Sequence, residues 1–191
     1  CCTTSGGMAA LDAETGRQLW YLPTIEEEAQ VTGSHYFFVK KWGPSGAPVW
    51  SAPTLDRQRG LLFYGTGENY TAPATETSDA IFAVDIANGK RRWVNQFTAN
   101  DTFNMAWVAG GANCPEQEGP DLDFGAPPLL TKNSQGRELL YVAQKSGAVS
   151  ALDPLTGNQV WSQQFGRGRY LGGIHGGLAA EPQRGLLAVP I

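Results

Sequence analysis

Few side chains in this sequence are placed to do chemistry, and most fall in short runs next to β-rich stretches. "YGTGENY" (Tyr64 to Tyr70) sets Glu68 and Asn69 just past such a stretch, and either side chain offers the hard oxygen that a calcium-like cation takes. "GPDLDFG" carries Asp121 and Asp123, a pair that equally suits turn formation and capping ahead of a strand. Lys145 stands in the tight turn "QKSG", where a lysine is ordinarily solvated. "TANDTFNMAW" holds Asp101 and Asn104; a carboxylate can take a hydroxyl proton, whereas an amide cannot. His35 and His175 are single and far apart, and "EEE" at Glu26 to Glu28 reads as a solvated loop. Of the three cysteines, Cys1 and Cys2 are adjacent and Cys114 is alone, so none has metal-ligand spacing.

The elements that must hold these residues are announced by a repeated phrase. "ALDAETGRQLW", "AVDIANGKRRW" and "ALDPLTGNQVW" share the pattern A-φ-D-x-x-x-G-x-x-x-W, with φ Leu or Val. Each reads as a hairpin: a β-rich run, a turn capped by Asp with Gly supplying positive φ, and a return strand. A second hairpin precedes two of the phrases, at Val49 to Gly67 and Phe124 to Gly147, and another begins at Ile174. Four antiparallel strands per unit predict a propeller blade. The phrase-ending Trp20, Trp93 and Trp161 recur about every 70 residues, whereas a plain blade takes about 40 to 50, so each repeat carries insertions. The long segments are Leu22 to Ala47, Glu68 to Asp79 and Thr98 to Asp123. In an up-and-down blade all three connect strands on the same face, and long loops on one side of a rigid scaffold are where function concentrates. The three tryptophans are expected to dock against neighbouring blades rather than to react.

The 191 residues carry a net charge of -4, which argues against nucleic acid as a partner. The 24 glycines and 12 prolines favour many turns and short strands. No apolar run reaches the roughly 18 residues of a membrane span. The chain opens at "CCTTSGG" without Met and stops in the strand-like "GLLAVPI", so it is expected to be an internal segment of a longer protein. It contains no C-x-x-C-H haem attachment motif.

The repeated phrase resembles the tryptophan-docking motif of the eight-bladed quinoprotein dehydrogenases. "WGPSGAPVWSAPTLD", "YGTGENY", "TSDAIFAVD", "NCPEQEGPDLDFGAPPLL" and "QKSGAVSALDPLTG" further resemble the polyvinyl alcohol dehydrogenase branch. The resemblance covers nearly the whole chain. It implies an all-β fold in which residues 1–191 form about three blades of a single quinoprotein-type propeller. It implies pyrroloquinoline quinone (PQQ) and Ca²⁺ as cofactors, oxidation of secondary alcohol groups, polyvinyl alcohol among them, and electrons passed to cytochrome c or an attached haem domain. It also implies a bacterial periplasmic or secreted location.

Residue by residue, it implies that Trp50 lies under the quinone and that Lys145 reaches the quinone oxygens. Glu68 occupies the calcium-ligand slot of the family's "GTGN" motif, with Asn69 one place later. Cys1 and Cys2 resemble the vicinal cysteine pair that closes over the quinone, although here they precede a docking phrase. A second cysteine is expected near "NM" as a partner for Cys114, and this chain has Trp107 there. Aligning Phe103 with the family's Trp puts Asn104 at the catalytic-base position. Asn104 is then expected to contact metal or cofactor, and Asp101, the nearest acid, to act as base. The rival expectation is a non-catalytic propeller serving as a binding or assembly scaffold, which would have short connections on both faces. The one-sided insertions favour the enzyme.

Overall fold

A computed structural model describes residues 3–35, 38–111 and 114–191. The repeated phrase folds as expected. One four-stranded antiparallel sheet runs, in chain and spatial order, through Thr54–Asp56, Leu61–Gly65, Ala80–Asp85 and Arg91–Gln96. A second follows through Leu129–Lys132, Glu138–Ala143, Ala148–Leu152 and Gln159–Gln164. Before them lies the hairpin Gly7–Leu11 with Gln18–Pro23, and after them the hairpin Ala179–Glu181 with Leu186–Ala188. The architecture is a β-propeller segment.

Alternation explains why the sheets stack. In "AIFAVD", Ile81 and Ala83 face the second sheet, in one cluster with Phe63, Phe124, Leu140 and Leu152. Ala80, Phe82 and Val84 face the opposite way and pack with Met8, Trp20 and Leu22 of the first hairpin. A period of two with both phases apolar is the mark of a sheet buried on both faces. Arg59, in the turn after Asp56, joins the two sheets by pairing with both Asp56 and Glu138.

The docking is specific. Trp20 Nε1 donates to the Ile86 carbonyl at 2.8 Å, and Trp93 Nε1 donates to the Pro154 carbonyl at 3.1 Å. Each indole lies on the glycine of the next unit's Asp-Gly turn. A Cβ on Gly89 would stand 2.7 Å from the Trp20 ring, and one on Gly157 2.6 Å from the Trp93 ring. Gly89 and Gly157 also hold positive φ, 71° and 73°. One phrase therefore supplies both a plug, its Trp, and a seat, its Gly.

The insertions gather on one face. Gln30–His35 pairs with Val39–Gly43, and Ser45–Gly46 pairs with Asn69–Thr71. Asn69 bridges Thr102, its N–H donates to the Asp101 carbonyl at 3.1 Å, and the Phe103 N–H donates back to the Asn69 carbonyl at 2.8 Å. Among the described residues the non-glycine positions with positive φ are Ala47, Asp79, Asn100 and Asp121. Each such residue costs about 1–3 kcal/mol, and such strain clusters at functional sites. All four fall in these inserted loops.

Candidate active site

Four side chains meet where the loops converge. Lys145 Nζ lies 2.6 Å from Asp121 Oδ1 and 3.1 Å from Asp123 Oδ2. Asp123 Oδ1 accepts the Glu68 N–H at 3.0 Å. Carboxylate oxygens of Glu68, Asp121 and Asp123 all lie within 4.8 Å of one another, and the three residues are buried. Local backbone fixes the group. The Lys145 N–H donates to the Asp123 carbonyl at 2.9 Å. Gly168 and Gly173 press on the Lys145 carbonyl, where added Cβ atoms would stand 1.5 and 1.8 Å away.

Burial is the largest influence on these charges. It pushes the Asp121 carboxyl up to about 6, with Lys145 pulling down and Asp123 pushing further up. Glu68 is raised by burial first and then by Asp123 and Asp121. Burial works against the Lys145 ammonium, but the two aspartates more than offset it and its pKa is raised. Burial and mutual repulsion push these carboxyls up, and a cation bound among their hard oxygens would favour their ionised forms.

The other expected residues take distinct places. Of the neighbours Glu68 and Asn69, only Glu68 joins the acid group. Asn69 is fully buried, with Nδ2 donating to the Ser45 carbonyl at 3.2 Å and Oδ1 accepting the Thr75 N–H at 2.7 Å, so it pins its own loop. Asn104 Nδ2 donates to the Tyr70 carbonyl and Oδ1 accepts the Ala106 N–H, both at 2.9 Å. Asp101 is fully buried. Its Oδ1 accepts the Asp121 N–H at 3.1 Å and its Oδ2 the Leu122 N–H at 2.9 Å. Both carboxyl oxygens of Asp101, expected as the base, thus hold backbone amides of the acid group's own loop. Trp50 is 47% exposed, its ring edge against Gly125 and its centroid 6.0 Å from His175. His175 Nε2 is 2.8 Å from the Gly172 carbonyl oxygen. Cys114 is free, its Sγ 2.8 Å from the Gly111 carbonyl oxygen. Cys1 and Cys2, and the pairing expected of them, lie outside the described residues. Glu26 to Glu28 are exposed, with Glu26 pairing Arg91 at 3.4 Å.

Asp79 was not among the expected site residues. It is fully buried, and among the described residues no donor reaches either carboxyl oxygen. Burial, then the charges of Asp101 and Asp123, push its pKa up to about 10. An acid with a raised folded-state pKa keeps its proton when folded and releases it on unfolding. Its contribution is therefore fully present below pH 4 and declines as pH rises toward 10. Asp79→Asn in the full-length protein should flatten this decline, so its advantage in melting temperature over wild type grows with pH. Melting curves between about pH 5 and 9 test it, and parallel pH profiles for the two proteins would show Asp79 to be ionised in the folded state.

Stacked four-stranded sheets joined by docked tryptophans define part of a β-propeller, with a buried acid–lysine group on its inserted face. A family model described as "PQQ: Glucose/ethanol/alcohol dehydrogenase, beta-propeller domain" matches residues 2–112. The chain belongs to that glucose/ethanol/alcohol dehydrogenase β-propeller family. It is 40% identical over 184 residues to a polyvinylalcohol dehydrogenase of a Pseudomonas species, covering 96% of this chain and 29% of that protein. The figures are 40% over 185 residues, 95% and 28% for the polyvinylalcohol dehydrogenase of Sphingopyxis sp. strain 113P3. The chain thus spans under a third of the length of these relatives. The crystal structure of quinohemoprotein alcohol dehydrogenase from Comamonas testosteroni shares the fold. Its TM-score is 0.65 at 20% identity, over 97% of this chain and 33% of that one. Among the described residues no helix is long and apolar enough to cross a membrane.

Proposed function

We propose that residues 1–191 form about three blades of a single eight-bladed propeller domain and carry the catalytic face of a PQQ-dependent alcohol dehydrogenase. The reading extends to secondary alcohol groups as substrate, polyvinyl alcohol among them, with cytochrome c or an attached haem domain as electron acceptor and a periplasmic or secreted location. The observation that carries it is Lys145 held between Asp121 and Asp123, with Glu68 alongside, on the face that presents Trp50. The 40% identity to polyvinylalcohol dehydrogenases supports the substrate class.

The residues fit both groups the family implies. Glu68, Asp121 and Asp123 offer only hard oxygens, gathered within 4.8 Å of one another, which suits Ca²⁺. Trp50, half-exposed with Gly125 packed on its ring, offers an aromatic surface to a planar quinone. When bound, the quinone accepts the hydride released from the carbinol carbon. The chain's own residues supply the rest. Both oxygens of Asp123 are engaged, by the Glu68 N–H and by Lys145. Asp121 has one oxygen on Lys145, and among the described residues no hydrogen bond reaches its Oδ2. We therefore assign the base to Asp121, which takes the hydroxyl proton, and assign Asp101 a place behind it. Lys145 uses two of its three N–H donors on the aspartates and has the third to direct at developing negative charge.

The test is dye reduction by the full-length protein with secondary alcohols and with polyvinyl alcohol. Activity should depend on both PQQ and Ca²⁺, and its absence after loading with both would overturn the reading. Trp50→Ala should retain the melting temperature of the cofactor-free protein and lose most PQQ on gel filtration. Normal PQQ retention with a lowered melting temperature would place Trp50 with the docking tryptophans instead.

A further inference from the structure

Asp101 is fully buried and is not one of the three clustered carboxylates, yet its side chain holds the backbone of one of them. Its two carboxylate oxygens hold consecutive backbone amides, those of Asp121 at 3.1 Å and Leu122 at 2.9 Å. Asp121 is one of the non-glycine residues in the left-handed region, at φ 57°, a conformation that persists only where surroundings over-determine it. Two charge-assisted bonds to the N–H groups at and just after the strained residue are such surroundings. The backbone of the same residue completes the link, since the Asp101 carbonyl accepts the Asn69 N–H at 3.1 Å, one residue from Glu68. Approach to the carboxylate is tight: a Cβ on Gly119 would stand 2.1 Å from Asp101 Oδ1.

We propose that Asp101 is a positioning residue, a clamp that fixes the strained Asp121–Leu122 backbone and ties it to the Glu68 loop, so that Asp121 meets Lys145 and the substrate hydroxyl in one geometry. This rests on the reading of Asp121 as base. It explains why an acid with no exposed surface sits twenty residues before the site yet directly beneath it. The Asp101 carboxyl offers one oxygen to each amide, whereas an Asn there presents one acceptor oxygen and turns an NH₂ toward the other N–H.

The test uses the full-length protein and Asp101→Asn, with hydrogen exchange followed on the peptide spanning residues 119–124. The Asp121 and Leu122 amides should exchange about tenfold to a hundredfold faster than in wild type, as expected for losing a hydrogen bond to a charged group. In the loaded enzyme kcat should fall by about 10- to 100-fold with KM within about threefold, because the loss is in geometry at the reacting centre and not in substrate binding. Should Asp101→Asn fail to fold, Asp101→Ser, which fits in less volume and keeps a single acceptor oxygen, tests the same contact, and the same two readouts should move together. Wild-type exchange at residues 121 and 122 overturns the clamp. Faster exchange with unchanged kcat overturns its catalytic part and leaves a structural bond. If wild type itself reduces no dye with any alcohol, the functional reading fails and takes the catalytic part with it, while the exchange result still decides the clamp.

Discussion

Asp121→Asn in the full-length, cofactor-loaded protein should lower kcat by about two to four orders of magnitude, the range for removing a general base. The substitution is chosen to separate proton transfer from everything else Asp121 touches. An Asn keeps the side chain's size and offers a carbonyl oxygen that can both ligate calcium and accept from Lys145 Nζ, now 2.6 Å from Asp121 Oδ1. It cannot take a proton. Calcium content and PQQ retention are therefore expected to stay near wild type while turnover collapses. Asp123→Asn is the informative companion. Asp123 accepts from Glu68 and Lys145 through separate oxygens, so its replacement should disturb the group's shape and loosen cation binding. Turnover by Asp121→Asn within about threefold of wild type, with metal and quinone in place, would remove Asp121 from the chemistry.

Trp93→Ala should destabilise the full-length protein by about 3–5 kcal/mol, the range for truncating a packed aromatic side chain. Trp93 joins the cluster between the two complete sheets, lies 5.9 Å from Phe63, covers Gly157 and donates to the Pro154 carbonyl. The cluster, Gly157 and Pro154 contacts all reach the next sheet or its turn. Denaturant midpoints measure the loss. Gly157→Ala supplies a second arm: the added Cβ would stand 2.6 Å from the indole at φ 73°, so this variant should also lose stability. In the double variant the clash with the indole is gone, so the two losses should not add. Strict additivity would show that the indole does not sit on that glycine.

Much of the fold could be read from the repeated phrase, because the same residues that make each hairpin also make its neighbour's contact. Asp85 and Gly89 build a turn, and that turn is the seat of Trp20. Strand order, short turns on one face and insertions on the other followed from that. The site was legible only in part. Lys145 and the Asp121–Asp123 pair were visible as residues, but a lysine in a turn and two aspartates before a strand are locally ordinary. What makes them a site is burial by the glycines of residues 168–173, which lie in a different unit. Asp101 shows the same limit of local reading. "ND" before an aromatic reads as a turn or a nearby acid, and nothing within ten residues tells that its carboxylate turns under the chain to hold amides at 121 and 122. Asp79 gave no signal at all, since its neighbours in space are Asp101 and Asp123.

The plug-and-seat docking has a consequence at its two unfilled positions. Gly16 has the same positive φ as Gly89 and Gly157 but nothing within 4 Å of its Cβ direction, while Trp161, which would fill such a turn, is 38% exposed. Residues 1–191 prepared alone therefore behave as a monomer in the polymer chemist's sense, bifunctional and self-complementary. One copy's Trp161 fits another's Gly16 turn, a head-to-tail contact that closes only if the rotations sum to a full circle. On the proposed count of about three blades from an eight-blade ring, copies do not close evenly, so growth should be open and step-wise. Light scattering should report an average mass that climbs with concentration, and Trp161→Ala should act as a chain terminator.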